Sequence, residues 1–400
     1  MFHVFRHRDL RLTVTARAVS AFGDNLALLV LTLRVYGHGL GPWSVTGLLA
    51  CATIPSAVLP TVAGRLVDSL SFRRLAVVTA AWQAACCVAL AFVDPLWATY
   101  ALVLLLQVGQ AVGGPTWQAL LPTLAEPEEL GAAVSASQAT TLLAVIAAPA
   151  AAGLAVGWFG YGLPLLVDAA TFVVLGAAAL GLRATRTQAC SEGESDAPTG
   201  FSLRSDPLLG PLVAGICMLV LVGGVTNVVE VFLIRGTLGA STTVFGLVSA
   251  LFAAALVVGA VLAGRSVDDR LRALRAVLGA LVIAVALVCG GLAPAIWIFA
   301  IAWAVLGVGN GVINADVSTL MLNRTPDAFR GRILARVGAM VSSAEVCALA
   351  IGGAVGSLLG ARTTFVVSGL LMAVVAAGLF VRLVGVRAAG TRMLAPEARL

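Results

Sequence analysis

The 400-residue sequence contains no lysine, only three histidines and few charged residues of any kind. Charged residues make up 11% of the chain, whereas a water-soluble globular protein carries about 25%, because its surface must be solvated. Hydrophobic residues make up 60%, and the mean hydropathy is +1.03. These values exclude a chain of soluble domains and predict a polytopic membrane protein.

The missing residue types also exclude several kinds of chemistry. Without lysine there is no Walker A phosphate loop, and His3, His7 and His38 all lie outside the apolar runs. The seven cysteines include no C-x-x-C pair, so they are interpreted as small buried apolar residues, without disulfides or a metal site. We therefore expect no enzyme activity, cofactor, metal or nucleic-acid partner.

Twelve runs reach the roughly 20 apolar residues that a membrane-spanning helix needs. Backbone groups in lipid must be satisfied internally, which favours helices, and the runs do not alternate as barrel strands do. The first run carries Arg17 and Asp24, so it is not interpreted as a cleavable signal. The predicted spans are 12–36, 43–67, 74–93, 97–120, 131–157, 162–181, 209–235, 241–264, 273–292, 295–318, 333–358 and 363–383.

Arginine clusters precede span one and follow spans two, six, eight, ten and twelve. By the positive-inside rule these loops and both termini are cytoplasmic. The polar stretch 182–208 is rich in Ser, Gly, Pro and charge, which is typical of a flexible linker. It divides the chain into a bundle of six spans at 1–181 and another at 209–400.

Two short matches relate these halves. Gly64–Asp68 (GRLVD) resembles Gly264–Asp268 (GRSVD), and 127–130 (PEEL) resembles 326–329 (PDAF), both offset by about 200 residues. Two matches at equivalent loops indicate duplication. Parallel six-span repeats around a midplane site are a transporter architecture.

The loop after span two resembles the signature of the major facilitator superfamily, roughly G-x-x-x-D-R-x-x-R-R. It holds Gly64, Asp68 and Arg73–Arg74, with Ser69 in place of the usual arginine and one extra residue before the pair. The resemblance implies an all-α membrane fold of twelve transmembrane helices in two pseudo-symmetric six-helix bundles. It also implies that Asp68, with Asp268 as its counterpart, forms a conformational latch near Arg332, although these loop charges could serve topology alone.

Three further stretches resemble the enterobactin-exporter and macrolide-efflux type of drug and siderophore exporters. They are Ser20–Asp24 (SAFGD), Gln118–Pro122 (QALLP) and Arg330–Arg332 (RGR). The exporter motif G-P-x-x-G-G of span five appears as Ala148–Gly153, which keeps Pro149 and Gly153 and replaces two glycines with alanine. The likeness implies a helix bend at Pro149 and Gly153, and export as the direction of transport.

Charged residues inside the apolar runs each cost at least about 2.5–3.5 kcal/mol, so they need a reason. Since the family lines its cavity with spans one, four, seven and ten, Asp24 and Glu230 are the leading proton-coupling candidates. Glu345 in span eleven is a third, and each could instead be paired or cap polar contacts. Asp168 is interpreted as structural, Asp316 as interfacial and solvated, and Arg17 as snorkelling or paired, with a substrate anchor as its less common use.

Several amides and one tryptophan lie on the presumed cavity helices. They could bind a substrate, although interhelical hydrogen bonds are the commoner use of amides in lipid. These candidates are Asn25, Gln107, Gln110, Trp117, Asn227, Asn310 and Asn314. The small-xxx-small pairs, such as Gly109/Gly113 and Gly307/Gly311, are interpreted as packing surfaces.

The function predicted from these features is secondary active transport by alternating access. The expected reaction is proton-coupled efflux of a small hydrophobic or amphipathic compound across a bacterial cell membrane. The expected partners are the bilayer, the substrate and protons, and a monomer suffices because one chain supplies both halves. A proton-coupled nutrient importer and a non-transporting receptor or scaffold are the alternatives.

Overall fold

The computed structural model describes residues 7–124, 130–182, 209–264, 268–325 and 329–393. In these ranges the chain consists of helices and short connections, without a strand. The predicted all-α class is therefore confirmed. The helices are α1 (Arg8–Gly37), α2 (Pro42–Val58), α3 (Pro60–Ser69), α4 (Phe72–Phe92), α5 (Leu96–Leu124), α6 (Leu130–Phe159), α7 (Gly162–Gly181), α8 (Leu209–Val231), α9 (Thr242–Ala263), α10 (Asp269–Leu292), α11 (Ile296–Arg324) and α12 (Arg330–Met393), with a π-helix at Phe232–Thr237 that continues α8.

Two helix breaks explain where the structure departs from one helix per predicted span. The second span forms α2 and α3, which are separated at Leu59 because Pro60 lacks the N–H that a continuous helix uses. The last two spans both lie in α12, which is interrupted at Gly360 with φ 75° and ψ 164°. Only glycine adopts that backbone conformation without steric cost, so the break is encoded by a single residue.

Helix length and composition confirm a multi-pass membrane protein. Ten helices in the described ranges are long and apolar enough to cross a bilayer. One of them, Arg336–Arg382, has 47 residues and contains Gly360, so at about 1.5 Å per residue it is long enough for two crossings of about 30 Å. The apolar α2 is just shorter than the others.

The chain forms two compact units, Met1–Ser195 with Ile234–Ala250, and Asp196–Leu233 with Leu251–Leu400. In the first unit α1 packs against α6 and α7, and α4 packs against α5 and α7. In the second unit α8 packs against α12, and α10 packs against α11 and α12. The contacts of α8 and α10 in the second unit thus repeat those of α1 and α4 in the first, with α12 containing the last two spans. This correspondence supports the inferred duplication.

The predicted domain boundaries remain a prediction. The linker 182–208 lies outside the described residues except for Leu182. The two units place 234–250 with the N-terminal part of the chain, a segment that the sequence assigns to the C-terminal bundle.

Glycines in the long helices provide close contacts, as the small-xxx-small spacing predicts. A β-carbon at Gly109 of α5 would lie 2.9 Å from Gln83 Cγ, and one at Gly307 of α11 would lie 2.7 Å from the carbonyl oxygen of Phe252. Both are shorter than ordinary van der Waals contact. Gly307 therefore lets two helix backbones approach, and Gly109 leaves room for the Gln83 side chain.

The cysteines differ in part from the prediction. Among the described residues Cys86 and Cys87 are buried and no disulfide forms, but Cys289 and Cys347 lie exposed on helix surfaces. In a membrane such a surface can face lipid, where a thiol behaves as a small apolar group.

Candidate functional site

The centre of α1 carries Asp24, which ends a chain of hydrogen bonds that begins at Gln83 and passes through Gln110. Gln110 of α5 donates through Nε2 to Asp24 Oδ2 over 3.0 Å, and Gln83 of α4 donates through Nε2 to Gln110 Oε1 over 2.8 Å. Because an ionised carboxylate only accepts hydrogen bonds, Gln110 turns its NH₂ towards Asp24 and its carbonyl towards Gln83. The sequence predicted Asp24 and Gln110 but missed Gln83, the one amide in the apolar run of α4.

A cavity of about 80 Å³ adjoins this polar chain. Its lining includes Arg17, Asp24, Gln83, Gln110 and the predicted cavity residue Trp117, which is 3% exposed. At about 30 Å³ per water molecule the volume holds two or three waters. The cavity therefore suits water or a small ion and is too small for an organic substrate.

A second carboxylate, Asp168 of α7, lies next to the same part of α1 and is 0% exposed. It accepts hydrogen bonds from Cys87 Sγ over 3.1 Å and from Thr171 Oγ1 over 3.2 Å. A β-carbon at Gly23 would clash with Asp168 Oδ1 and Thr171 Oγ1. The carboxylate predicted to be structural is thus hydrogen-bonded and buried, one residue along α1 from the leading proton-coupling candidate.

Arg17 lines the small cavity and also a larger one of about 590 Å³. The rest of the larger lining is contributed by α5 and α6. No hydrogen bond or ion pair of the Arg17 guanidinium is found in the described ranges. The predicted pairing of Arg17 is therefore not observed there, and its place on two cavity walls is a finding of the structure.

The other carboxylate candidates are partly buried in the second unit. Glu230 lies in α8 and Glu345 in α12, and neither forms a hydrogen bond or ion pair within the described part of the chain. Asn227, one turn before Glu230, is exposed. In contrast to Asp24, these side chains are not built into a described polar network.

The remaining amide candidates bond within their own helix or make no side-chain hydrogen bond to a described residue. Asn25 donates to the carbonyl of Ala21 over 2.8 Å, within its own helix. Asn314 donates to Asn310 Oδ1 over 2.5 Å, one turn away on α11. Gln107 is half-buried on α5 without a hydrogen bond to any described residue. Of the predicted amides only Gln110 makes an interhelical bond here.

The predicted latch is described only in part. The side chains of Asp68 and Arg332 lie outside the described part of the structure. Asp268 Oδ1 accepts from the backbone N–H of Arg270 over 3.1 Å, so it caps the N-terminus of α10.

Of the other predicted latch residues, one arginine bonds within the first unit and the other is exposed. Arg73 donates to the carbonyl of Leu182 over 2.6 Å, whereas Arg74 is exposed. A β-carbon at Gly64 would meet no atom of the described residues within 4 Å.

The prediction that Asp316 is interfacial and solvated is wrong, because its side chain is 0% exposed. Arg275 donates to it twice, through Nε over 3.1 Å and through an Nη over 2.5 Å, and Arg272 lies 3.6 Å away. Arg275 also donates to the carbonyl of Ala263 over 2.8 Å. In the sequence both arginines belong to the cluster after span eight, which was used only to orient the chain. Their spacing does not predict a contact with α11.

The exporter-motif residues lie where α6 meets the first turns of α9. Pro149 is inside α6, and a β-carbon at Gly153 would lie 2.7 Å from the carbonyl oxygen of Thr242 and 2.9 Å from Gly246 Cα. A β-carbon at Gly246 would clash with the carbonyl oxygen of Pro149. The two glycines thus allow direct backbone contact between these helices.

Comparison with known sequences defines the protein class. The sequence profile of the Major Facilitator Superfamily matches residues 13–234 and again 212–399. A relative from Bacillus subtilis (strain 168), described as the uncharacterized MFS-type transporter YfiS, is 23% identical over 407 residues, covering 97% of this chain and 96% of the relative. The first match covers the N-terminal half and runs on through α8, so it overlaps the second match at residues 212–234.

Solved structures with the same fold are membrane transporters. The nucleoside transporter NupG superposes with a TM-score of 0.75 at 12% identity, covering 94% of this chain and 99% of NupG. A POT family transporter in complex with 5-aminolevulinic acid gives 0.78 at 11% identity, covering 94% and 96%. A bacterial homolog of the human lysosomal transporter Spinster gives 0.73 at 13%, covering 95% and 97%. At these identities the likeness concerns the fold.

The helices, the repeat and these matches together define a polytopic membrane transporter. The chain belongs to the Major Facilitator Superfamily. The predicted family is confirmed, and the finer exporter branch stays a prediction. No group of three or more His, Cys, Asp or Glu that could hold a metal ion occurs in the described ranges.

Proposed function

We propose that this transporter works by alternating access and exports a small hydrophobic or amphipathic compound in exchange for protons. The observation that carries the proposal is Asp24 in the middle of α1, bonded to Gln110 and bordering a cavity of water size. Apolar surroundings favour the neutral form of a carboxyl group, whereas a hydrogen bond donated to it favours the charged form. A proton carrier needs both forms within reach, and this site combines the two influences.

Sequence likeness supports export as the direction. Ser20–Asp24 and Gln118–Pro122 resemble the enterobactin-exporter and macrolide-efflux type, whose cargoes include antibiotics and siderophores. The contact of Gly153 with Gly246 lies at the exporter-motif position. Glu230 and Glu345 are proposed as further proton sites, since neither has a described partner.

The remaining features of the proposal concern conformation and location. Asp68 and Arg332 form the cytoplasmic latch, with Gly64, Arg73, Arg74 and Asp268 at its two loops. Both termini are cytoplasmic, the protein acts as a monomer in a bacterial cell membrane, and the bundles 1–181 and 209–400 are joined by the linker 182–208. The arginine distribution and the internal repeat support these assignments.

Inside-out vesicles with an imposed pH gradient test the function. Antibiotics, dyes and siderophores are added singly while the lumenal pH is recorded for the wild type and for Asp24→Asn. We expect at least one compound to dissipate the gradient, and at least about tenfold more slowly in Asp24→Asn, which cannot take up a proton. Asp94→Asn is the control for neutralising a carboxylate: Asp94 follows α4, is 99% exposed and pairs with Arg34 over 3.1 Å, so this variant loses an ion pair but no carboxylate beside the cavity.

Each outcome has a defined meaning. Equal dissipation by wild type and Asp24→Asn would remove Asp24 from the coupling step. Proton-dependent accumulation of a compound in intact cells would replace export with import. A folded protein that moves protons with none of the compounds would contradict proton exchange for those cargo classes.

A further inference from the structure

Arg17 is a cation inside the apolar run of α1 with no compensating anion in the described ranges. Asp24, seven residues later, bonds Gln110 instead of Arg17. An arginine within a membrane helix costs at least about 2.5–3.5 kcal/mol. Such a residue usually marks a function when it faces a cavity instead of a counter-ion.

The larger of the two cavities beside Arg17 has a volume of about 590 Å³. Its lining is Arg17 of α1, Gln118 of α5 and, from α6, Val134, Ser137, Gln138, Thr141 and Leu142. The α6 residues follow the spacing i, i+3, i+4, i+7, i+8, so they form a single face of that helix. Among the described residues no carboxylate belongs to this lining.

The hydroxyl groups of α6 differ according to whether they face the cavity. Ser135 and Thr140, which do not line it, donate to backbone carbonyls four residues earlier over 2.8 Å and 3.0 Å. Ser137 and Thr141, which line it, make no side-chain hydrogen bond to a described residue. The cavity face therefore keeps its donors uncommitted.

We propose that this cavity binds amphipathic organic anions, with a carboxylate or sulfonate group held by Arg17. A guanidinium donates two parallel hydrogen bonds to such a group. Ser137, Thr141 and the amides add neutral donors, and Val134 and Leu142 contact the apolar body of the ligand. The inference rests on the proposed transport function for its substrate meaning, but it concerns charge selection and is independent of transport direction.

A pair of fluorescent probes with one skeleton tests the charge selection. The anion is 8-anilinonaphthalene-1-sulfonate, and N-phenyl-1-naphthylamine is the same molecule without the sulfonate. Saturable binding is measured in zwitterionic lipid nanodiscs, with empty nanodiscs as the blank, for wild type, Arg17→Gln, Arg17→Lys and Arg11→Gln. Arg11 is an exposed arginine six residues earlier on α1 and provides the matched control.

We expect Arg17→Gln to lower the affinity for the sulfonate probe at least about tenfold, because a hydrogen bond to a charged group is lost. Arg17→Lys keeps the charge, so its affinity for the sulfonate probe should lie between those of the wild type and Arg17→Gln. Arg11→Gln should change the affinity for the sulfonate probe less than about twofold, and every variant should bind the neutral probe within about twofold of the wild type. No saturable sulfonate binding by wild type, unchanged binding by Arg17→Gln, or equal losses for both probes would overturn the inference. The proposed transport function fails by a different result: Arg17-dependent binding is observed, but an imposed pH gradient drives the transport of no compound.

Discussion

Gly23 in α1 lies so close to Asp168 in α7 that a β-carbon at residue 23 would occupy the space of Asp168 Oδ1. The contact brings a buried carboxylate against the backbone directly before Asp24. It also explains why the SAFGD stretch of span one has glycine at its fourth position. The missing side chain at Gly23 lets α1 and α7 approach closely at this point.

Gly23→Ala should lower the free energy of unfolding by about 1–3 kcal/mol, because the added methyl group overpacks the α1–α7 contact. The thermal unfolding midpoint in detergent measures the effect. Gly338→Ala is the matched control, since a β-carbon at Gly338 in α12 meets no described atom within 4 Å. Equal midpoints for the two variants would contradict the close contact.

Gln110→Leu should slow proton-coupled transport about tenfold, because Asp24 loses the hydrogen bond that supports its charged form. Transport rates across a pH series in proteoliposomes provide the measurement. Gln107→Leu, nearly one turn earlier on α5 and without a described partner, should retain wild-type rates. If both leucine variants transport normally, the Gln83–Gln110–Asp24 chain has no part in coupling.

Asp316→Ala should destabilise the protein by about 3–5 kcal/mol, since Arg275 and Arg272 would lose the carboxylate between them. The yield of monodisperse protein and its thermal midpoint report the loss. Asp269→Ala is the control: it breaks a partly exposed pair with Arg324 and a hydrogen bond from Asn323, and should cost only about 1 kcal/mol. Similar losses in both would argue against a structural role special to Asp316.

Gly153→Ala should reduce both stability and transport, because its β-carbon would meet the backbone of Thr242 and Gly246. The expected cost is about 1–3 kcal/mol. A β-carbon at Gly157, one turn later, would lie 3.2 Å from the rotatable hydroxyl of Thr243. Gly157→Ala should therefore lower stability and transport less than Gly153→Ala. Thermal midpoints and dye efflux of the two variants are compared. A harmless Gly153→Ala would show that the exporter-motif contact tolerates a methyl group.

Asp68→Asn should impair transport and leave membrane insertion intact if the proposed latch operates, since the amide removes the charge that a helix N-terminus attracts. Membrane-fraction abundance and substrate efflux are measured in the same cells. Asp94→Asn serves again as an exposed carboxylate control. Wild-type efflux by Asp68→Asn would eliminate the latch.

The sequence predicted the helices well because spanning a bilayer imposes a length and a composition on each segment separately. The predicted ranges 162–181 and 74–93, for example, correspond closely to α7 and α4. The break at Gly360 was also visible as the interval between two predicted spans. Asp24 and Gln110 were found because polar groups are rare in such runs.

The sequence did not reveal how these polar groups pair. Asp316 was predicted to be solvated because it lies near the end of a span, yet Arg275 binds it from a helix 41 positions earlier. Gln83 was missed for a similar reason, since its partner Gln110 belongs to the next span. A single sequence records the residues of each helix but not the rotation of that helix about its axis.

By itself, therefore, the sequence determined the membrane class, the number of apolar runs, the internal repeat and the superfamily. These properties follow from composition, segment length and short local motifs. The tertiary structure decided which partner each charged side chain has: Asp24 accepts a hydrogen bond from Gln110, 86 positions away, Asp316 pairs with Arg275, and Arg17 has no described partner. Those contacts depend on which face each helix turns towards its neighbours, and that is set by packing among segments far apart in the chain.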